Sequence, residues 1–257
     1  LKVQELLRAV PWNIQDHPLV MDLEQRIRPV IRHVTDPKAY FDFYRDKTKT
    51  GFLKSPDEWL LPQSCVGRAR WMAAWINEHC PNATVADIGA FDGIVGIPLL
   101  TMCPRIRYIG IDPFEEAVLV FQERIQERGF ADRAEVRVGE NASELGSEIA
   151  DVVVWSEVIE HVPDPRRAAK ELRDLLRWSG WIFVTTPWGA FDKGHPVPTT
   201  HEGYPRDDRG HVRVLSPRDI TRVFEKEWVV EELVKEDAGV GRVGDALHFA
   251  ARKIVPA

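Results

Sequence analysis

Two periods divide this chain. Up to about residue 80 the apolar positions recur at helical spacing. Leu19, Val20, Leu23, Ile27, Val30 and Ile31 form one stripe within Pro18–His33, and Val66–His79 carries a second. Between them "FYRDKTKTGFLKSPDEWLLP" has no period and reads as loop. Its Lys47, Lys49 and Lys54 are read as a solvated surface, with contact to an anionic substrate group as the second reading. From residue 83 short apolar runs alternate with amphipathic stretches. "TVADIGA", "RYIGIDP", "AEVRVGEN", "ADVVVW" and "WIFVTTP" read as strands, and "GIVGIPLLTMC", "FEEAVLVFQERIQERGF", "DPRRAAKELRDLLRWSG" and "SPRDITRVFEK" as helices. Asp164 and Ser216 are placed to cap the last two helices, each followed by proline, and Gly180 is expected to end the first of them.

Strands alternating with helices at this spacing predict βαβ crossovers and a doubly wound, mainly parallel α/β sheet. "WVVEELVKE" and "ALHFAARKIV" have no clear helix between them and are expected to close the sheet as an antiparallel edge hairpin. The expected organisation is an N-terminal helical lid or substrate segment over 1–80 and a Rossmann-like, seven-stranded domain over 81–257. Within the latter, 188–214 is a substrate or metal loop.

Composition narrows the classes. With 257 residues and 44% hydrophobic content the chain can bury a full core, and a net charge of −6 gives no broad nucleic-acid surface. Cys65, Cys80 and Cys103 lack CxxC spacing and read as reduced thiols. With no transmembrane-length apolar run or signal peptide, a soluble cytoplasmic protein is expected; oligomeric state is left open.

The strongest chemical signal is "VADIGAFDG" at residues 85–93, a glycine-rich turn between first strand and first helix. Such a turn lets backbone approach a ligand beside unpaired helix N–H groups. About 20 residues on, Asp112 ends the second strand, where an acid accepts hydrogen bonds from ribose hydroxyls. A dinucleotide fold wants G-x-G-x-x-G; Phe91 replaces the second glycine, which is poor for pyrophosphate and disfavours the alternative of a dinucleotide-dependent oxidoreductase. The run resembles motif I, D-x-G-x-G-x-G, of the class I S-adenosylmethionine-dependent methyltransferases, with Phe91 departing from the middle glycine. The resemblance implies that Asp87, Gly89, Ala90 and Gly93 wrap the methionine part of S-adenosylmethionine. Asp112 would hold the ribose, Asn141 and Ala142 of "GENA" lie near adenine, and Ser156 and Glu157 lie beside the sulfonium.

The fourth strand runs into "SEVIEHV", where Glu157, Glu160 and His161 stand at i, i+3 and i+4 and would share one face of a helical turn. Two adjacent carboxylates call for a cation or a proton between them. The E-x-x-E-H turn resembles those of ubiquinone-biosynthesis O-methyltransferases and small-RNA 2′-O-methyltransferases. That resemblance implies a divalent metal (Mg, Mn, Fe, Co or Zn) held by Glu157, Glu160, His161 and His211. The equally weighted reading is a metal-free turn in which these groups shape the pocket and His161 or His211 is the general base. His195 and His201 are read as loop residues. The expected reaction is methyl transfer to a small hydroxylated acceptor, sugar- or catechol-like, with Glu157, His161 and His211 as catalytic candidates. An RNA terminus is the alternative acceptor, and metal-free N- or O-methylation of a small molecule a further one.

Overall fold

The computed structural model describes residues 63–162, 164–188, 215, 217–224, 228–236 and 245–254. The stripe Pro18–His33, the lysine loop, Ser216 and the histidines His195, His201 and His211 lie outside them. The elements are α1 (Gln63–His79), β1 (Thr84–Ile88), α2 (Gly96–Met102), β2 (Arg107–Asp112), α3 (Glu115–Glu127) and β3 (Ala134–Val138). After a 3-10 turn at Ala142–Leu145 come β4 (Ala150–Ser156), α4 (Pro165–Leu175), β5 (Leu176–Trp188), α5 (Pro217–Phe224), β6 (Trp228–Glu236) and β7 (Asp245–Lys253).

The seven strands form one sheet in the order β3-β2-β1-β4-β5-β7-β6. Strands β1 to β5 pair in parallel. β7 runs antiparallel to both β5 and β6, so the expected edge hairpin is present. The fold is the doubly wound α/β sheet that the alternation predicts.

Near-continuous apolar runs in the central strands follow from burial on both faces. Along β4, Val152 and Val154 enter the core shared with α1, α2 and α3, whereas Val153 and Trp155 enter the core shared with α4 and α5. Side chains alternate across a strand, so one apolar run feeds two layers. Helix α1 belongs to the first layer through Ala69, Met72 and Ile76, all fully buried. Cys80 and Cys103 are free thiols whose pKa values burial pushes up to about 11, so neither is poised as a nucleophile. Among the described residues no helix is long and apolar enough to cross a membrane.

Helix α4 starts where its sequence dictates. Asp164 Oδ1 accepts the Arg167 backbone N–H at 3.1 Å, and Pro165 is the first helical residue. Asp164→Ala is expected to cost about 1 kcal/mol, the usual worth of an N-cap, read as a lower urea midpoint at unchanged slope. The end of α4 corrects the sequence reading. The helix stops at Leu175 rather than Gly180, because Leu176 already pairs with Ala150 of β4. Residues 177–180 then bulge out, with Ser179 at φ 60°, before Trp181 resumes pairing with Val152. Gly180 serves this bulge: a Cβ there would lie 3.0 Å from the Arg177 carbonyl oxygen and 3.1 Å from that of Asp151.

Strand order reverses between β1 and β4, which places a crevice at their carboxyl ends, the usual ligand position in such sheets.

Candidate functional site

A cavity of about 670 Å³ opens at this point, within the range of small-ligand sites. Asp87, Gly89, Ala90, Asp112, Asn141, Ala142 and Ser156 all line it. Gly93 does not. Its φ of +84° and the Phe121 ring, 2.4 Å from where a Cβ would stand, give it a packing role behind the turn.

The turn after β1 is held by the Asp112 carboxylate. Asp112 is 3% exposed. Its Oδ2 accepts the Phe91 N–H at 2.8 Å and its Oδ1 the Phe114 N–H at 2.9 Å. Each carboxylate oxygen keeps a further lone pair for a ligand hydroxyl. Burial pushes the Asp112 carboxyl up to about 7, against the pull of those two N–H groups. Asp87, 2% exposed, accepts a hydrogen bond from the Tyr108 hydroxyl; burial likewise pushes it up to about 7. Phe91 adopts φ 47°, a left-handed conformation that costs a side-chain-bearing residue on the order of 1–2 kcal/mol. The departure from the middle glycine therefore changes the side chain in the wall while the backbone keeps a glycine-like path. Asn141 and Glu144 form a reciprocal capping box on the 3-10 turn, which fixes the backbone that passes the cavity there.

The acidic turn differs from its expected shape. Residues 157–161 form a turn rather than a helix, with Glu157 at φ 56° and its N–H donated to the Thr185 carbonyl at 2.8 Å. The three groups consequently do not share a helical face. Glu157 accepts from Thr185 Oγ1 at 3.1 Å and lies 3.5 Å from Arg68 Nη1. Glu160 is turned into the interior, 1% exposed, and accepts from Thr186 Oγ1 at 3.1 Å. Its other oxygen stands 3.8 Å from His161 Nε2. Burial first, and the neighbouring Glu157 second, hold the Glu160 carboxyl well above its ordinary value. The two carboxylates of the turn are met by two threonine hydroxyls and Arg68, and burial favours the protonated form of Glu160. Among the described residues no group of three His, Cys, Asp or Glu side chains is arranged to hold a metal ion. Glu157, Glu160 and His161 do not fit a metal as a set, and His211 lies outside the described residues.

Glu157 and His161 line the cavity, and so does Arg68, which sequence reading missed. Arg68 sits in the α1 stripe otherwise filled by Ala69, Met72 and Ile76, and a charge within a buried stripe was its available signal. Thr185 and Thr186, both fully buried, were also missed. Hydroxyls at the carboxyl end of a central strand were the clue there.

The family model described as "Methyltransferase domain" matches residues 68–227. The chain is 30% identical over 114 residues to a ubiquinone biosynthesis O-methyltransferase of Paraburkholderia phymatum, which covers 44% of this chain and 48% of that protein. It is 29% identical over 119 residues to the enzyme of that name from Burkholderia thailandensis, covering 46% and 50%. The chain thus spans about half the length of the first of the curated relatives it matches. Among solved structures it resembles a Burkholderia thailandensis 1,6-didemethyltoxoflavin-N1-methyltransferase holding S-adenosylhomocysteine. That match has TM-score 0.63 and 17% identity, over 86% of this chain and 92% of the other. A second, a SAM-dependent methyltransferase from Aquifex aeolicus, has TM-score 0.58 and 18% identity, over 82% and 98%.

Proposed function

This chain belongs to the methyltransferase-domain family, and from that premise we propose that it transfers the methyl group of S-adenosylmethionine to a hydroxyl of a small acceptor. The observation that carries the reading is Asp112. A buried carboxylate stands at the carboxyl end of β2, on the cavity wall, directly bonded to the glycine-rich turn. The donor set suits the cofactor: Asp112 for the ribose, the backbone at Asn141 and Ala142 for adenine, and Asp87, Gly89 and Ala90, backed by Gly93, for the methionine part. Ser156 and Glu157 stand toward the reacting end. When bound, S-adenosylmethionine supplies an electrophilic methyl on a sulfonium.

The chain supplies orientation and proton transfer. The acceptor hydroxyl lies against Glu157 and His161, and His161 takes up its proton as the oxygen gains the methyl group. Glu157 is held in place by Thr185 and Arg68 and orients the hydroxyl. The described donors do not fit a divalent metal, and no step is routed through one. Preference for oxygen rests on the O-methyltransferase relatives.

Calorimetric titration tests the cofactor. S-adenosylhomocysteine should bind and NAD should not; tight NAD binding with none of S-adenosylhomocysteine would sink the proposal. With a catechol- or sugar-type acceptor, His161→Ala should lower kcat at least a hundredfold, the usual worth of a general base, at unchanged S-adenosylhomocysteine affinity. An unchanged kcat would remove His161 from the chemistry.

A further inference from the structure

The first half of the cavity wall contains a residue that ought to bend it out of shape. Phe91 stands where a glycine is expected and yet keeps φ 47°, between Gly89 at φ 80° and Gly93 at φ 84°. Something must hold that conformation, and helix α3 reaches the turn from outside the cavity. Arg124 is 4% exposed and Asp92 1%. Arg124 Nη1 donates to the Asp92 carbonyl oxygen at 2.7 Å and lies 2.8 Å from Asp92 Oδ2. One guanidinium thereby fixes both the backbone and the side chain of the residue after Phe91. Three positions earlier on α3, Phe121 faces the same turn and packs where a Gly93 Cβ would be.

We propose that Arg124 is a positioning residue for the cofactor: by clamping Asp92 it holds Phe91 in its left-handed conformation, with the Phe91 N–H on the Asp112 carboxylate. The inference rests on the reading of the cavity as the S-adenosylmethionine site. Arg124 acts through the turn. Without the clamp Phe91 relaxes to negative φ, its N–H leaves Asp112, and the ribose-binding carboxylate loses one of its two anchors. Glycine adopts the same φ without a clamp, so the need for Arg124 follows from the presence of Phe91. That dependence distinguishes a positioning role from a merely structural one.

The test is S-adenosylhomocysteine binding by calorimetry, with thermal unfolding beside it, on four proteins: wild type, Phe91→Gly, Asp92→Asn/Arg124→Gln, and the triple variant combining all three changes. The paired substitution removes both buried charges together, which avoids leaving one of them unpaired. Asp92→Asn/Arg124→Gln should bind about tenfold more weakly than wild type, and adding Phe91→Gly should bring the affinity back to within about threefold, a tenfold change being about 1.4 kcal/mol. Equal affinity in wild type and the paired variant would overturn the clamp, as would a triple variant that folds and stays weak. If the paired variant does not fold, a folded triple variant with near-wild-type affinity supports the proposal, and a triple variant that also fails to fold overturns it. Absence of S-adenosylhomocysteine binding by the wild type itself would overturn the cofactor reading instead.

Discussion

Replacing Asp112 with alanine should weaken S-adenosylhomocysteine binding about a hundredfold. Two hydrogen bonds from ribose hydroxyls to a charged, buried acceptor contribute together about 3 kcal/mol or more, and each 1.4 kcal/mol is a factor of about ten. The substitution also leaves the Phe91 and Phe114 N–H groups without their carboxylate, so the turn loses its anchor along with the ligand. Asp112→Asn sharpens the result. Asparagine keeps one acceptor oxygen and turns an amide donor toward one of those two N–H groups, so its loss should be nearly as large. Calorimetry gives the affinity and a thermal melt confirms folding. Affinity within threefold of wild type in a folded Asp112→Ala protein would contradict the role assigned to this carboxylate.

Stability should fall as pH rises, and Asp87 should account for a large part of it. Its carboxyl is raised from 3.8 to about 7, first by burial and then by Asp112, against the hydrogen bond from Tyr108. Below pH 4 both folded and unfolded chains hold the proton, and Asp87 costs nothing. Between about 4 and 7 the unfolded chain has released it while the folded chain keeps it, so each rise in pH favours unfolding. Above 7 the buried group is ionised and the full cost is reached. That cost is on the order of 4 kcal/mol, because each tenfold difference in proton affinity between folded and unfolded chains is worth about 1.4 kcal/mol. Asp112 moves in the same direction, also through burial. Asp87→Asn keeps an oxygen for Tyr108 and removes the titration. The variant should match wild type near pH 4 and melt higher than wild type by about 10 °C at pH 8. A Tm difference independent of pH would show that Asp87 is ionised throughout.

Both experiments concern groups whose identity was visible in the chain and whose energetics were not. Asp87 and Asp112 stand out in the sequence as acids within or ending apolar strand runs. That both are desolvated, with Asp112 within electrostatic reach of Asp87, follows only from the pairing of β1 with β2 in register. The acidic turn is the opposite case. Its composition was legible, but its shape was not, because Glu157 leaves the helical region of backbone space when its N–H pairs with Thr185, 28 residues away. Gly180 misled for a related reason. Locally it reads as a helix end, yet strand pairing with β4 overrides the local preference and places it in a bulge.

Local chemistry therefore determined the layer order of this protein. Alternation of short apolar runs with amphipathic helices dictates a doubly wound sheet, and two-residue periodicity divides its core into two layers. The same sequence marks the glycine-rich turn and an acid at the end of the following strand, since each is defined by its own local run, although their meeting is set by strand pairing. The tertiary structure alone decided which charges are neutralised and by what. Arg68, Arg124, Thr185 and Thr186 come from elements distant in sequence, and their partners at Glu157, Asp92 and Glu160 are set by how helices and strands pack across the crevice. Burial raises the carboxyls of Glu160, Asp87 and Asp112 on the pH scale, and burial is a property of the packed sheet rather than of any segment within it.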